Sequence, residues 1–459
     1  MRSAPIAIVA AALVVVAVGA VLFAAEPRLG VAALGIPAAL VIAVSPLIGT
    51  ALLVFGLPLE ELGGLTPDGF LTLNKLLGVA VVGSWLLHAL LQRRPIRVPL
   101  AAVPLAALVL WGATSALWAV EPGAAIHMTV TYVQLLAFYV LLVNVLDSPA
   151  ALRAGLLAHV AGAAVLAVVG LYLVGSGVLQ QGRAAIVIDS QMILEPNALA
   201  AALLLPSIIG VVGALDRGRP GIERLALAFA GLLFVTTITF TLSRGALVAL
   251  LVVAVLVSVA RRQPLLPVVA ALLAVPGVLF VGDALWDRLA AGATLADRAA
   301  GRLDIWHVGW VVIRSHPLQG VGLGCFPIVY FDYMSQAADI SWRHVVGVLG
   351  TLQKYPHSFY LGTIAELGIV GAVLLGVALV AHARHALATW RWLERARHPA
   401  AGLVLAAAAG LVGLLVLGMA FDLGNRKYFW MALALAEIGR GRALGAGTGP
   451  VAAPVRRAA

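Results

Sequence analysis

Cysteine is nearly missing from this chain. Cys325 is the sole one in 459 residues, so no internal disulfide is available and packing alone must hold the fold together. Charge is scarce as well. Charged residues make up 11% of the chain against 62% hydrophobic, and the mean hydropathy is +1.05, which excludes a soluble globular protein and indicates an integral membrane protein. Acidic residues are outnumbered, 20 against 30 basic ones, but the resulting formal charge of +10 does not imply a nucleic-acid partner. The arginines are scattered through short loops between apolar runs, where orientation in the membrane accounts for them. No internal repeat relates the two halves, and no Asp-x-Asp accompanies Glu60 and Glu61. Those two carboxylates are therefore a rival site for a divalent cation only if a short acidic outer loop is not the whole explanation.

What the chain does have is long apolar runs. A span needs about twenty apolar residues, and runs of that kind lie near 4–24, 30–57, 71–91, 98–118, 126–146, 153–175, 196–215, 222–241, 245–260, 264–282, 359–381, 400–421 and 427–439. The expected fold is an all-α polytopic membrane protein of about 12 to 13 transmembrane helices with one large extracytoplasmic loop. The expected organisation is an N-terminal bundle (1–282), the loop (283–358), C-terminal helices (359–439) and a Gly-, Ala- and Pro-rich tail (440–459), read as disordered and cytoplasmic. Arginines at 93–97, 153, 217–224, 261–262, 384–397 and 440–457 fall on one side if the spans from 71 onward alternate, and the positive-inside rule makes that side cytoplasmic. Segments 176–195, 242–244, 283–358 and 422–426 then lie outside. The first 57 residues leave the N-terminus open: alternation puts it outside, Met1-Arg2 before an apolar run puts it inside, and a broken re-entrant hairpin containing Pro37 and Pro46 would reconcile the two.

Chemistry concentrates in the loop, whose polar part runs for roughly seventy residues, a length that usually marks function. Outer arginines are informative because the orientation rule expects few there. Arg183 precedes Glu195-Pro196-Asn197, Arg244 is squeezed between two spans in Thr241-Leu242-Ser243-Arg244-Gly245, and Arg302 opens Arg302-Leu303-Asp304-Ile305-Trp306. Guanidiniums grip phosphate oxygens through paired hydrogen bonds, so three together would clamp a diphosphate. Taken singly, each is equally explained by loop solvation or by pairing with Asp189, Asp297 or Asp304. His357 stands at the mouth of a span and is placed to move a proton, although His307, His316 and His344 share the loop. Pro317-Leu-Gln-Gly320-Val-Gly322-Leu-Gly324 lacks the strand and helix of a dinucleotide site, so its glycines are read as points of close backbone approach. Glu366, some two turns into a span, needs a partner there, either a loop arginine or another polar group.

Taken in order, Arg183, Pro196-Asn197, Ser243-Arg244-Gly245, Arg302 with Trp306, Pro317-x-x-Gly320-x-Gly322, His357, and Glu366 with Gly368 and Gly371 resemble the O-antigen ligase and polymerase superfamily of bacterial membrane proteins. The likeness runs over roughly residues 180 to 375. Where members commonly carry asparagine after the histidine, this chain has Ser358. The resemblance implies a fold like that of lipid-sugar-dependent glycosyltransferases and a metal-independent, cofactor-free, inverting glycosyl transfer on the outer face of the bacterial inner membrane. The donor would be a glycan on undecaprenyl diphosphate, and the acceptor a hydroxyl on lipid A core, on another carrier-linked glycan or on a protein. By residue, Arg244, Arg302 and Arg183 match the arginines that bind the diphosphate and His357 the proposed base, with Asn197, Asp304, Trp306 and Glu366 in support. The competing reading from another class is a transporter or lipid-linked glycan flippase, which calls for ionisable residues buried mid-span and a repeated architecture.

Overall fold

In a computed structural model, the structure describes residues 39–63, 72–180, 182–188, 191–262, 302–337, 340, 354–398 and 400–438. The helices expected near 4–24 and 264–282, the orientation of the N-terminus, and the tail at 440–459 lie outside the described residues.

Helix starts follow from local chemistry. α1 (Pro46–Gly56) and a 3-10 turn (Leu57–Gly63) lead to α2 (Leu73–Leu91), α3 (Ala102–Thr114), α4 (Pro122–Val145) and α5 (Pro149–Gly175). Three of these begin with proline behind a cap whose side chain accepts from a first-turn amide: Ser45 for α1, Glu121 for α4 and Ser148 for α5. Proline fits at the first helical position because its missing N–H would find no partner there in any case. A two-stranded hairpin follows, β1 (Ile186–Ile188) with β2 (Gln191–Leu194), then α6 (Pro196–Ala214), α7 (Gly221–Phe240) and α8 (Arg244–Arg261). The loop contributes α9 (Arg302–Ser315) and α10 (Phe326–Met334), and the chain ends in α11 (Phe359–Arg395), α12 (Ala401–Leu417) and α13 (Lys427–Ile438).

Among the described residues seven helices, α2, α4 to α8 and α11, are long and apolar enough to cross a membrane, so the protein is an all-α polytopic membrane protein. α6 is the hub. It is 83% buried in its most apolar window and packs between α7 and α12, and Gly210 and Gly231 bring α6 and α7 so close that a Cβ on Gly210 would stand 3.0 Å from the Gly231 backbone. α13, with only 12 residues, is too short to span alone at about 1.5 Å per residue, yet every residue from Tyr428 to Ile438 is buried. Enclosure by α4, α11 and α12 lets it sit inside the bundle.

α11 runs 37 residues, well past the span expected to stop at 381. Its final turns keep alanine, leucine, tryptophan, arginine and glutamate, all tolerated in helices, so the apolar run ends before the helix does. It is also broken at Gly368, whose φ of 64° and ψ of −165° are open only to glycine. The loop is built around that break. Val321 N–H donates to the Ala365 carbonyl (3.0 Å), Gly322 N–H to the Glu366 carbonyl (2.9 Å) and Ile369 N–H to the Pro317 carbonyl (2.9 Å), so the 317–322 segment replaces helical partners that the kink removes. A Cβ on Gly320 would stand 2.3 Å from the Glu366 backbone and one on Gly368 2.2 Å from the Leu318 carbonyl oxygen, which accounts for the glycines as points of backbone contact. α9 and α10 add a separate small core of Ile305, Val308, Val312, Phe326, Val329 and Tyr330 packed against Ala365.

Candidate active site

One end of the bundle collects the starts of α2, α4, α6, α8, α11 and α13 together with the loop helices. Backbone hydrogen bonds tie the segments of this end together: Val120 N–H to the Val321 carbonyl, Ala184 N–H to that of Phe240, and Phe359 N–H to those of Gly418 and Phe421. The described arginines of the short-loop set, from Arg93 to Arg397, lie at the opposite end.

His357 occupies the centre of the polar end. Its φ of 46° is left-handed, a conformation that costs a non-glycine residue about 1 to 2 kcal/mol and that Leu242, two residues before Arg244, shares at 50°. Glu195, Arg302, Asp422 and Lys354 all lie within electrostatic reach of the imidazole. Burial lowers its pKa below the ordinary histidine value, Arg302 and Lys354 push the same way, and Glu195 and Asp422 only partly oppose them. The ring is thus held neutral, the form that accepts a proton. Ser358 caps α11, its Oγ accepting from Leu361 N–H at 3.4 Å, and serine and asparagine are nearly equivalent in that position.

Asp422 was not among the residues singled out from sequence. It folds its own loop, Oδ1 accepting from Gly424 N–H at 3.1 Å, and burial raises its pKa despite that hydrogen bond and the neighbouring Arg426 and His357 side chains. Phe421-Asp422-Leu423-Gly424-Asn425-Arg426 is a short loop at this end containing an arginine, the very signal that drew attention to Arg244, and it marks Arg426 and Asp422 equally well. Glu195 is recovered too, beside Pro196-Asn197.

The three expected arginines differ in their engagements. Arg183 donates from Nε to the Thr241 carbonyl at 2.7 Å and from Nη2 to Asn197 Oδ1 at 3.0 Å, so it and Asn197 brace the turn that ends at Arg244. Arg244 opens α8 and its side chain is exposed, with neighbouring Gly245 packed on Leu417 and Ala420, the approach to the Asp422 loop. Arg302 is half-buried at the start of α9, where it faces His357. Asp304 is buried in α9 within reach of Tyr330, and Trp306 packs beside the loop core.

Glu366 is half-buried and is engaged by backbone amides of the loop. Its Oε1 accepts from Phe326 N–H (3.3 Å), and Gly324 N–H also donates to the carboxylate, so it caps the start of α10 and fastens the loop to α11. It also lines a cavity of about 60 Å³ with Tyr132, Gly324, Pro356, Asp422 and Asn425. Glu60 is engaged by Lys427 and by Thr72, and among the described residues no group of three or more His, Cys, Asp or Glu side chains is arranged to hold a metal ion.

A multi-pass helical membrane protein with its polar chemistry gathered at one end is the class that fold and site define. Residues 228–376 match the family model described as O-Antigen ligase, and the chain carries that family's domain, as its motifs imply. The matched stretch contains Arg244, Arg302, His357 and Glu366, whereas Arg183, Asn197, Asp422 and Arg426 flank it. The match supports a ligase- or glycosyltransferase-type membrane enzyme of polysaccharide or lipopolysaccharide assembly, and the family implies a lipid-linked glycan donor and a glycan acceptor in general. No curated protein matches the chain.

Proposed function

We propose that this protein transfers a glycan from an undecaprenyl diphosphate carrier to an acceptor hydroxyl, with inversion at the anomeric carbon and without a metal, on the outer face of the bacterial inner membrane. The observation that carries this reading is the cluster around His357: an imidazole within electrostatic reach of two cations, Arg302 and Lys354, and two carboxylates, Glu195 and Asp422, at the end of the bundle away from the short arginine-rich loops. The basic end is then cytoplasmic and the site periplasmic or exterior.

In the step itself the acceptor oxygen attacks the anomeric carbon while its proton passes to His357. The bond from that carbon to the diphosphate oxygen breaks, and undecaprenyl diphosphate leaves with the electron pair. A diphosphate is already a good leaving group, so it needs charge stabilisation, which guanidiniums beside it supply. Arg244 and Arg302 take that role. Arg183 is assigned instead to hold the 241–244 turn, since its donors are directed at Thr241 and Asn197. Asp422 stabilises the imidazolium that forms, as a carboxylate beside a catalytic histidine does elsewhere. Attack from the face opposite the leaving group gives inversion.

A flippase or transporter calls for ionisable groups strung along a path through the spans. His159, His382 and Glu437 are buried in the bundle, but each is held by a local partner rather than by the next group along a path: His159 Nδ1 by the Val54 carbonyl, His382 by Tyr139 and the Ala378 carbonyl, and Glu437 Oε2 by His385, while His159 Nε2 and Glu437 Oε1 make no hydrogen bond. The deciding experiment incubates purified protein with a lipid-linked glycan and candidate acceptors in chelator. Glycan joined to an acceptor supports the proposal, and its absence with every acceptor class, in protein shown to be folded, overturns it.

A further inference from the structure

At the end of the bundle opposite His357, the residues ahead of α3 and the faces of α4, α11 and α13 border an open groove of about 930 Å³, within the range of ligand-binding pockets. Its long wall is a stripe of α11, where Val377, Ala381, Arg384 and Ala388 recur at the spacing that sets residues on one helix face. The facing wall is Arg97-Val98-Pro99-Leu100, an apolar run for a loop, with Leu100 86% and Val98 62% exposed. That loop is held in place. Arg97 N–H donates to Asn144 Oδ1 and Asn144 Nδ2 donates back to the Arg97 carbonyl, both at 2.8 Å, which fixes the loop to the end of α4.

Arg97 and Arg384 are both exposed at the edge of the groove, and neither guanidinium forms an ion pair or hydrogen bond with a described residue. The carboxylate of the lining, Glu437, is bound instead by His385, and on that inner wall Glu437 Oε1 and His385 Nε2 make no hydrogen bond. Orientation in the membrane explains arginines at this end, but not why two of them border one apolar groove. An apolar helix laid over the groove would shut two guanidiniums and two unpartnered polar atoms away from water, at a cost nothing repays. The chain after Ile438 does not bring the missing anion either, since it carries Arg440, Arg442, Arg456 and Arg457 and no acidic residue.

We propose that the groove binds one anionic phospholipid of the leaflet at this end, with its phosphate between Arg97 and Arg384 and its acyl chains along Leu100, Val103 and Val377. Basic pockets between membrane helices take lipid headgroups in this way, and an arginine can reach headgroup level while its stem stays on apolar surface. The lipid then fastens the start of α3 to the far half of α11. This site is independent of the glycosyl-transfer reading.

Full-length protein purified in mild detergent is incubated with an equimolar mixture of phosphatidylglycerol and phosphatidylethanolamine, and the retained lipid is weighed by native mass spectrometry. Phosphatidylglycerol is expected to be retained, one molecule per chain, roughly fivefold or more over phosphatidylethanolamine. Arg97→Gln and Arg384→Gln should each bring that ratio close to one, whereas Arg97→Lys and Arg384→Lys should keep most of it, which separates loss of charge from loss of fold. Arg217→Gln, which removes an exposed arginine at the same end but outside the groove, should leave the ratio unchanged. Equal retention of the two lipids, retention of neither, a preference that survives both groove glutamines, or an equal loss in Arg217→Gln overturns the proposal.

Discussion

A cation placed next to an imidazole makes it harder to protonate, and burial acts in the same direction. His357 experiences both, so the neutral base persists to lower pH than in a free histidine. The sign follows directly: the active form is deprotonated, rate is lost as pH falls through the folded-state pKa, and that pKa is depressed. The acid limb of kcat against pH is therefore expected below the ordinary histidine value of about 6.5. In Arg302→Gln, where a cation that lowers the pKa is removed, the limb of the residual activity should move to higher pH. His357→Ala should reduce kcat by about 10² to 10⁴, the usual range for a general base. Arg244→Ala should cost about 10² to 10³, the range for one donor that stabilises developing charge. Lysine at 244 should restore only part of the activity, since a point charge lacks the paired donors of a guanidinium. All of these variants should remain in the membrane fraction at normal abundance, measured by immunoblot alongside transfer.

Elements explain which residues sequence could expose. The spans were legible wherever a run of about twenty apolar residues formed a helix, and α2 and α4 to α8 start and stop within a few residues of the expected places. The end of α11 was not, because hydropathy registers Arg384 and Arg391 as the close of a span although the backbone continues as helix through both. The arginines expected outside and His357 stood out by position, whereas Asp422 did not, since a lone aspartate in a short loop looks the same whether it faces water or an imidazole two helices away in the chain. The kink at Gly368 was equally hidden, although the glycines that serve it were visible. Its importance is testable: Gly368→Ala should destabilise the protein by about 2 to 3 kcal/mol through backbone strain alone, before the clash with Leu318 is counted, read as a lower melting temperature in detergent. Glu366→Ala should cost about 1 to 2 kcal/mol by uncapping α10, with Glu366→Gln recovering part of it.

For the molecule as a whole, the first question is which end faces which compartment. Cys325 is buried, and burial raises its thiol pKa, so it stays protonated and a poor target for maleimide, which leaves a quiet background for introduced cysteines. An impermeant maleimide added to intact cells is expected to label Met192→Cys and Asn425→Cys at the site end and to spare Arg217→Cys at the other until the membrane is opened. The reverse pattern would place the chemistry among nucleotide sugars and contradict the lipid-linked donor. The seam between the 317–322 segment and the broken helix has a bearing on how such an enzyme is loaded. Its three short backbone hydrogen bonds, at about 0.5 to 1.5 kcal/mol each, join α9, α10 and α11 into one body. The amides of Val321, Gly322 and Ile369 should accordingly be among the slowest at the site end to exchange for deuterium. Substrates must then enter past this body rather than beneath it, as through a fixed doorway, and turnover should survive a cross-link that staples the seam shut.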